Sequence, residues 1–343
     1  MDDERVYIPL QSEELTALNR ETGEVVWVRA IESAWPPVVH DGVVYLAASD
    51  ELHALAASTG DTIWRAPLER ALAARLVFDT GWLLAVIEPG DVVAMRAADG
   101  RQLWRHSLGA APRSRAVAGD NDALYFALSD GRVVSLNLID GSKRWEQQLP
   151  KMLGEPAAAP DRVFIGSTDN FFYALDADDG SLQWKWRSGG DVIGAAAADE
   201  VVFITSLDNI IRGVNRGNGN QRWRKATPSR PVIPPSAIGG VAIVTGVDNS
   251  LTAFAARTGE QVGTYVAPAD LQAPALIDPV LKPYRVAAAV VMRDGRVAGL
   301  YSVAMLFRDQ PATPLTALPG RILQREQLLT RKPQSPPSKP PAK

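Results

Sequence analysis

Few side chains in this chain could do chemistry. It has 343 residues, no cysteine and three histidines, His40, His53 and His106. Without cysteine there is no disulfide, thiolate zinc site, iron–sulfur cluster or thiol nucleophile. The histidines stand in three different settings: His40 before Asp41-Gly42, His53 inside an apolar run, and His106 just after Trp104. Structural or surface roles suit all three. Asp176-Ala-Asp-Asp-Gly180 has the oxygen ligands calcium prefers but lacks the downstream glutamate of an EF-hand, so it reads as a hairpin turn. No Gly-x-Ser-x-Gly elbow, phosphate-binding loop or dinucleotide fingerprint is present. These residues predict no catalytic group, no metal and no cofactor.

Composition narrows the partners. Lys+Arg number 36 and Asp+Glu 39, a net charge of -3, which is no footprint for duplex nucleic acid. The longest apolar run, Val286 to Met292, is far short of the ~20 residues that span a membrane as a helix. The opening Met1-Asp-Asp-Glu-Arg is acidic and has neither the basic nor the apolar region of a signal peptide, so the expectation is either a cytosolic protein or a true N-terminus upstream of Met1.

The elements that position these residues repeat. Trp27, Trp64, Trp104, Trp145, Trp184 and Trp223 recur at intervals of 37 to 41 residues. Each stands four residues after a glycine: Gly23, Gly60, Gly100, Gly141, Gly180 and Gly219. A seventh turn, Arg257-Thr-Gly-Glu-Gln-Val-Gly263, keeps the glycine and has Gly263 in place of tryptophan. Between the landmarks lie short β-branched and aromatic runs bounded by Asp-Gly, Asp-Asn or Thr-Gly, which is hairpin chemistry. The runs are continuous rather than alternating, as in strands covered on both faces. A repeat of this length with four antiparallel strands predicts the blade of a β-propeller.

Paired strands, the first of each pair beginning near Val6, Val43, Trp82, Leu124, Val163, Val201, Val241 and Val286, predict eight blades, with seven as the alternative if the last unit is irregular. Residues 1–320 form the propeller in this reading, with Thr313–Leu318 supplying the inner strand that the first blade lacks. Residues 321–330 are a short C-terminal helix or extension. Residues 331–343, rich in Pro and Lys, are a disordered tail.

The unit Ala17-Leu-Asn-Arg-Glu-Thr-Gly-Glu-Val-Val-Trp27, met again at Ala174 to Trp184, resembles the tryptophan-docking motif of the pyrroloquinoline-quinone-type (PQQ-like) propeller repeat over about residues 5 to 305. The resemblance implies that each indole packs between adjacent blades, and that docking weakens at Gly263. The glycine supplies the left-handed backbone of the turn.

This repeat serves quinoprotein dehydrogenases, with quinone and calcium at the axis, and also non-catalytic scaffolds. The chain most resembles the BamB family of outer-membrane β-barrel assembly scaffolds. That likeness implies a protein partner such as a β-barrel assembly subunit, a monomer within a complex, and a place in the periplasm or at the outer-membrane periphery. It also implies an envelope leader upstream of Met1. The dehydrogenases typically carry a vicinal cysteine pair and long insertions, both missing here, so an enzyme is the lesser reading and a ligand- or carbohydrate-sensing propeller the third. Arg70, Arg75, Arg113 and Arg115 lie in segments between repeats, where rim contacts with a partner are expected.

Overall fold

In the computed structural model the described residues are 2–267, except 11–13, 21, 121, 199 and 239, followed by the backbone of four strands at 276–277, 286–291, 297–301 and 321–323. The chain folds as a β-propeller of antiparallel sheets, seven with four strands and a first with three. The first sheet is β1 (Arg5–Leu10), β2 (Glu14–Asn19) and β3 (Val25–Arg29). The second is β4 (Val38–His40), β5 (Val43–Ala48), β6 (Glu51–Ala56) and β7 (Thr62–Pro67). Five more follow the same order: β8–β11 within 77–107, β12–β15 within 117–148, β16–β19 within 157–187, β20–β23 within 192–226 and β24–β27 within 236–266. The last is β28 (Leu276–Ile277), β29 (Val286–Val291), β30 (Val297–Tyr301) and β31 (Arg321–Leu323).

The second strand of each sheet starts within one residue of the expected position. Among the described residues the first sheet has no inner strand, and Thr313–Leu318, proposed to fill that place, lie outside them. Arg321–Leu323, the start of the segment expected as a short helix or extension, are the strand β31, paired with Val297–Gly299 to complete the last sheet. Three residues have too weak an intrinsic preference to resist pairing with an open edge. The rest of 324–343 lies outside the described residues.

The middle strands are buried on both faces, as the continuous apolar runs require. Within β5 and β6, Val44 to Ala47 and Leu52 to Leu55 are all buried. The cores lie between sheets: one joins Tyr45, Leu52 and Leu68 to Leu83, Ile87 and Val93 of the next. The short first strands β4, β8, β12, β16, β20 and β24 touch one another in series, which places them innermost, around the axis.

Alternation of strand direction gives the ring two different faces. On one face the fourth strand of each sheet hands over to the first strand of the next, through 68–76, 108–116, 149–156, 188–191 and 227–235. This is the crossover face. The glycine turns lie on the other.

Candidate functional site

Two constructions are built from the repeat: the junction between sheets, and the axial ring on the crossover face. At the junction, the glycine turn is closed by its own backbone, as in Gly60 N–H to Ala56 O (2.7 Å) and Gly141 N–H to Asn137 O (2.9 Å). The glycines have φ near +70°, for instance 73° at Gly23 and Gly60 and 71° at Gly141. Across from each tryptophan stands a small residue: Ala17, Ala54, Ala94, Ser135, Ala174 and Gly213 pair with Trp27, Trp64, Trp104, Trp145, Trp184 and Trp223. A register shift follows immediately in every case. The small side chain leaves the indole free to lie over the sheet surface.

Each indole then reaches the following sheet. Trp27 Nε1–H donates to Ala57 O (2.9 Å), Trp64 to Ala97 O (3.0 Å) and Trp104 to Leu138 O (2.7 Å). Trp145 donates to Ala177 O (2.9 Å), Trp184 to Arg216 O (3.1 Å) and Trp223 to Ala256 O (2.8 Å). The ring lies against the glycine of that next sheet. A Cβ on Gly60 would fall 2.8 Å from Trp27, one on Gly100 2.7 Å from Trp64, and one on Gly141 2.5 Å from Trp104. Gly180, Gly219 and Gly259 meet Trp145, Trp184 and Trp223 in the same way, at 2.6, 2.7 and 2.5 Å. The glycine therefore has two duties, turn geometry and contact with a ring from the preceding unit, and the sequence reading recognised only the first.

A signal for the second duty was available. Gly259 keeps its glycine although its own unit has Gly263 in place of tryptophan, because Gly259 faces Trp223.

The same middle-strand position, one residue before that small partner, holds Thr16, His53, Val93, Val134, Tyr173, Arg212 and Thr252. His53 is 6% exposed, with Nδ1 unpartnered and Nε2 3.5 Å from Glu51. Burial, reinforced by Arg65 and opposed by Glu51, holds its pKa below the ordinary value of 6.5. The unfolded chain therefore binds this proton more readily than the fold. The resulting loss of stability begins as pH falls through about 6.5 and is complete below the folded pKa. His53→Val, which installs the residue used at Val93 and Val134, should flatten that limb of the stability curve, measured by urea unfolding at a series of pH values. An unchanged slope would refute it.

The four arginines expected as rim contacts all lie on the crossover face. Arg75 and Arg115 occupy one repeat position, two residues before the first strand of their sheets. Glu155 holds the same place in the next sheet, and Pro36, Gly194 and Pro234 hold it in others, as the pairings Val38↔Tyr45, Val77↔Leu84, Val117↔Tyr125, Ala157↔Phe164, Ala196↔Phe203 and Ser236↔Ile243 show. These positions adjoin around the axis. Arg115 Nε is 3.0 Å from Glu155 Oε1, and a Cβ on Gly194 would fall 2.6 Å from Pro234.

Arg75 is half-buried. Burial and the nearby Arg115 pull its pKa below the ordinary arginine value, while Glu155 opposes them. Arg70 and Arg113 stand apart from this pair, exposed on the crossover segments. The backbone N–H of Arg113 donates to Ala127 O (2.8 Å). Glu155 was not singled out in the sequence, although residues 75, 115 and 155 fall at a constant interval of one repeat.

The other candidates resolve as local structure. Asp176 accepts from Asp178 N–H (2.9 Å) and Asp179 from Ser181 N–H (2.8 Å), the bonds of a tight turn. His40 stacks on Phe78, with ring centroids 4.1 Å apart. Among the described residues, no three His, Asp or Glu side chains gather as a metal site. No helix among them is long and apolar enough to cross a membrane.

Fold and repeat geometry together define a PQQ-like propeller. A family model described as outer membrane protein assembly factor BamB matches residues 11–154, 150–233 and 215–303, and the chain belongs to that family. No curated protein matches it. Among solved structures it is similar to BamB from Moraxella catarrhalis, at 18% identity over 86% of this chain and 85% of that one, with a TM-score of 0.64. The computationally designed Ika8 protein shares 14% identity over 88% and 94% of the two chains, with a TM-score of 0.76. Quinohemoprotein alcohol dehydrogenase ADHIIG from Pseudomonas putida HK5 shares 13% over 88% and 69%, with a TM-score of 0.63. At these identities the structural likenesses establish the fold.

Proposed function

We propose that this protein is a non-catalytic propeller scaffold of the bacterial envelope, acting in outer-membrane β-barrel assembly as a monomer within a larger complex. The family match over most of the propeller carries this reading. The construction of the ring supports it: repeated indole–glycine contacts dock the sheets, and the connecting segments of the crossover face remain available to a partner. Its place would be the periplasm or the periplasmic side of the outer membrane. Affinity capture of the full chain from envelope membranes in mild detergent should recover subunits of the β-barrel assembly machinery. Recovery of the chain without them would defeat the proposal.

A quinoprotein oxidoreductase is the second reading, favoured by the likeness to the alcohol dehydrogenase fold. The donor set does not fit calcium, since the described residues bring no three carboxylate or imidazole groups together and the axial ring on the crossover face carries two arginines. Quinone- and calcium-dependent dye reduction would establish this second reading.

A further inference from the structure

Charge is spread unevenly around the outer edge of the wheel. The fourth strand of each sheet lies farthest from the axis. Those of the fifth and sixth sheets, β19 (Leu182–Arg187) and β23 (Gln221–Ala226), carry Lys185, Arg187, Arg222, Arg224 and Lys225 with no acid. Their sheets are neighbours, docked through Trp184 Nε1–H on Arg216 O (3.1 Å). From Asn209 to Val247 the chain has six cations and no Asp or Glu, although its net charge is -3. The acids that border these strands are taken: Glu200 pairs with Arg222 (2.9 Å), Asp161 with Arg216 (3.4 Å), Asp178 with Arg144 (3.7 Å) and Asp208 with Arg212. Asp179 and Asp191 lie beyond the two ends, in the glycine turn and on a crossover segment. All five cations are exposed. Arg187, Arg224 and Lys225 form no ion pair among the described residues, and Lys185 lies over the Phe171 ring (5.0 Å), which leaves its charge unneutralised. A charge on an edge strand discourages edge-to-edge pairing. That need does not account for five on two neighbours, since β7 (Thr62–Pro67) has Arg65 alone and β27 (Gln261–Val266) has none.

We propose that the edge formed by β19 and β23 rests on an anionic phospholipid surface, so that the wheel stands upright on the membrane with both flat faces clear of lipid. A plane of phosphates meets the cations of both strands together, whereas an acidic segment paired with one strand would engage only two or three. Each Lys or Arg near an anionic bilayer adds a similar increment of attraction, and the sum is screened by salt. The edge also carries side chains suited to the headgroup level: Leu182 is 47% exposed, and the indole of Trp186 is half-buried between Lys185 and Arg187. This inference rests on the scaffold reading, which puts the chain beside the outer membrane, and adds its orientation there.

The test is co-sedimentation of the full chain with vesicles of phosphatidylglycerol mixed with phosphatidylcholine. Binding should appear at low salt, weaken as salt rises, and be absent with phosphatidylcholine alone. Arg224→Gln combined with Lys225→Gln should weaken it about 25-fold, roughly fivefold for each charge. Arg65→Gln, across the wheel, should leave it unchanged. Matching thermal unfolding curves for the variants and the parent exclude misfolding. Equal binding by the double variant and the parent would overturn the assignment, since some other basic segment would then hold the vesicle. Failure to bind at low salt would overturn it too. If the chain binds oligoglutamate and not the vesicles, the edge takes an acidic polypeptide and the proposal is wrong. Capture of assembly subunits by a chain that ignores the vesicles would remove this inference and leave the scaffold reading standing. Vesicle binding without such capture would do the reverse.

Discussion

Gly141→Ala should unfold at much lower urea concentration than Gly42→Ala, although both positions have nearly the same backbone. Their φ angles are 71° and 73°. Forcing an L-residue into that region costs roughly 1–2 kcal/mol at either site. Around Gly42 nothing lies within 4 Å of an added Cβ, so that cost is the whole effect. At Gly141 the same atom would fall 2.5 Å from Trp104 Cε3. The indole cannot retreat and still donate its N–H to Leu138 O at 2.7 Å. Overpacking adds about 1–3 kcal/mol, and a carbonyl left unpaired adds about 1–3 kcal/mol more. The total at Gly141 is then about 3–8 kcal/mol, against about 1–2 at Gly42. Equal losses at the two sites would show that the indole contact between sheets contributes nothing, and the docking role proposed for the tryptophans would fail.

The second large effect concerns Arg212, which is 4% exposed on the third strand of its sheet. Its Nη1 donates to Ser206 Oγ (2.7 Å), its guanidinium is paired with Asp208, and its Cζ lies 5.0 Å from the ring centre of Trp186 in the preceding sheet. Asp208→Ala strands a buried cation and should cost about 3–5 kcal/mol. Arg212→Val removes the charge itself and installs the residue found at Val93 and Val134, so its cost should be much smaller, even though the larger side chain is lost. Urea unfolding of both variants decides the matter, and a larger loss for Arg212→Val would reverse the argument. The pair also predicts a pH dependence. Burial raises the Asp208 pKa, but hydrogen bonds from Arg212 and Ser206 outweigh it, and the carboxyl is held below its ordinary 3.8. The stabilisation is therefore complete at pH values well above 3.8 and is lost as pH falls through the folded value.

The hairpins were legible because their signals are local. Val43 and Trp82 open β-branched or aromatic runs, and Asp41-Gly42 and Thr80-Gly81 mark the turns before them. Contacts between units were harder to read. A constant interval looks the same whether Trp104 meets Gly100 of its own turn or Gly141 of the next, and in the fold it meets Gly141. The axial ring has the same difficulty. Arg75, Arg115 and Glu155 each look like an ordinary charged loop residue, and their common place appears only once the strands are in register. At Arg321–Leu323 the deciding partner is Val297–Gly299, too distant along the chain for a local rule.

The forward reach of the six repeat indoles has a consequence for how the protein is made. Trp27 depends on Ala57 and Gly60, and Trp223 on Ala256 and Gly259, so no repeat can seat its own largest side chain. On the ribosome, where synthesis runs from the N-terminus, a newly emerged unit waits with its tryptophan unsatisfied until some thirty further residues arrive. Each wedge of the wheel is finished by its successor, and order of emergence becomes order of assembly.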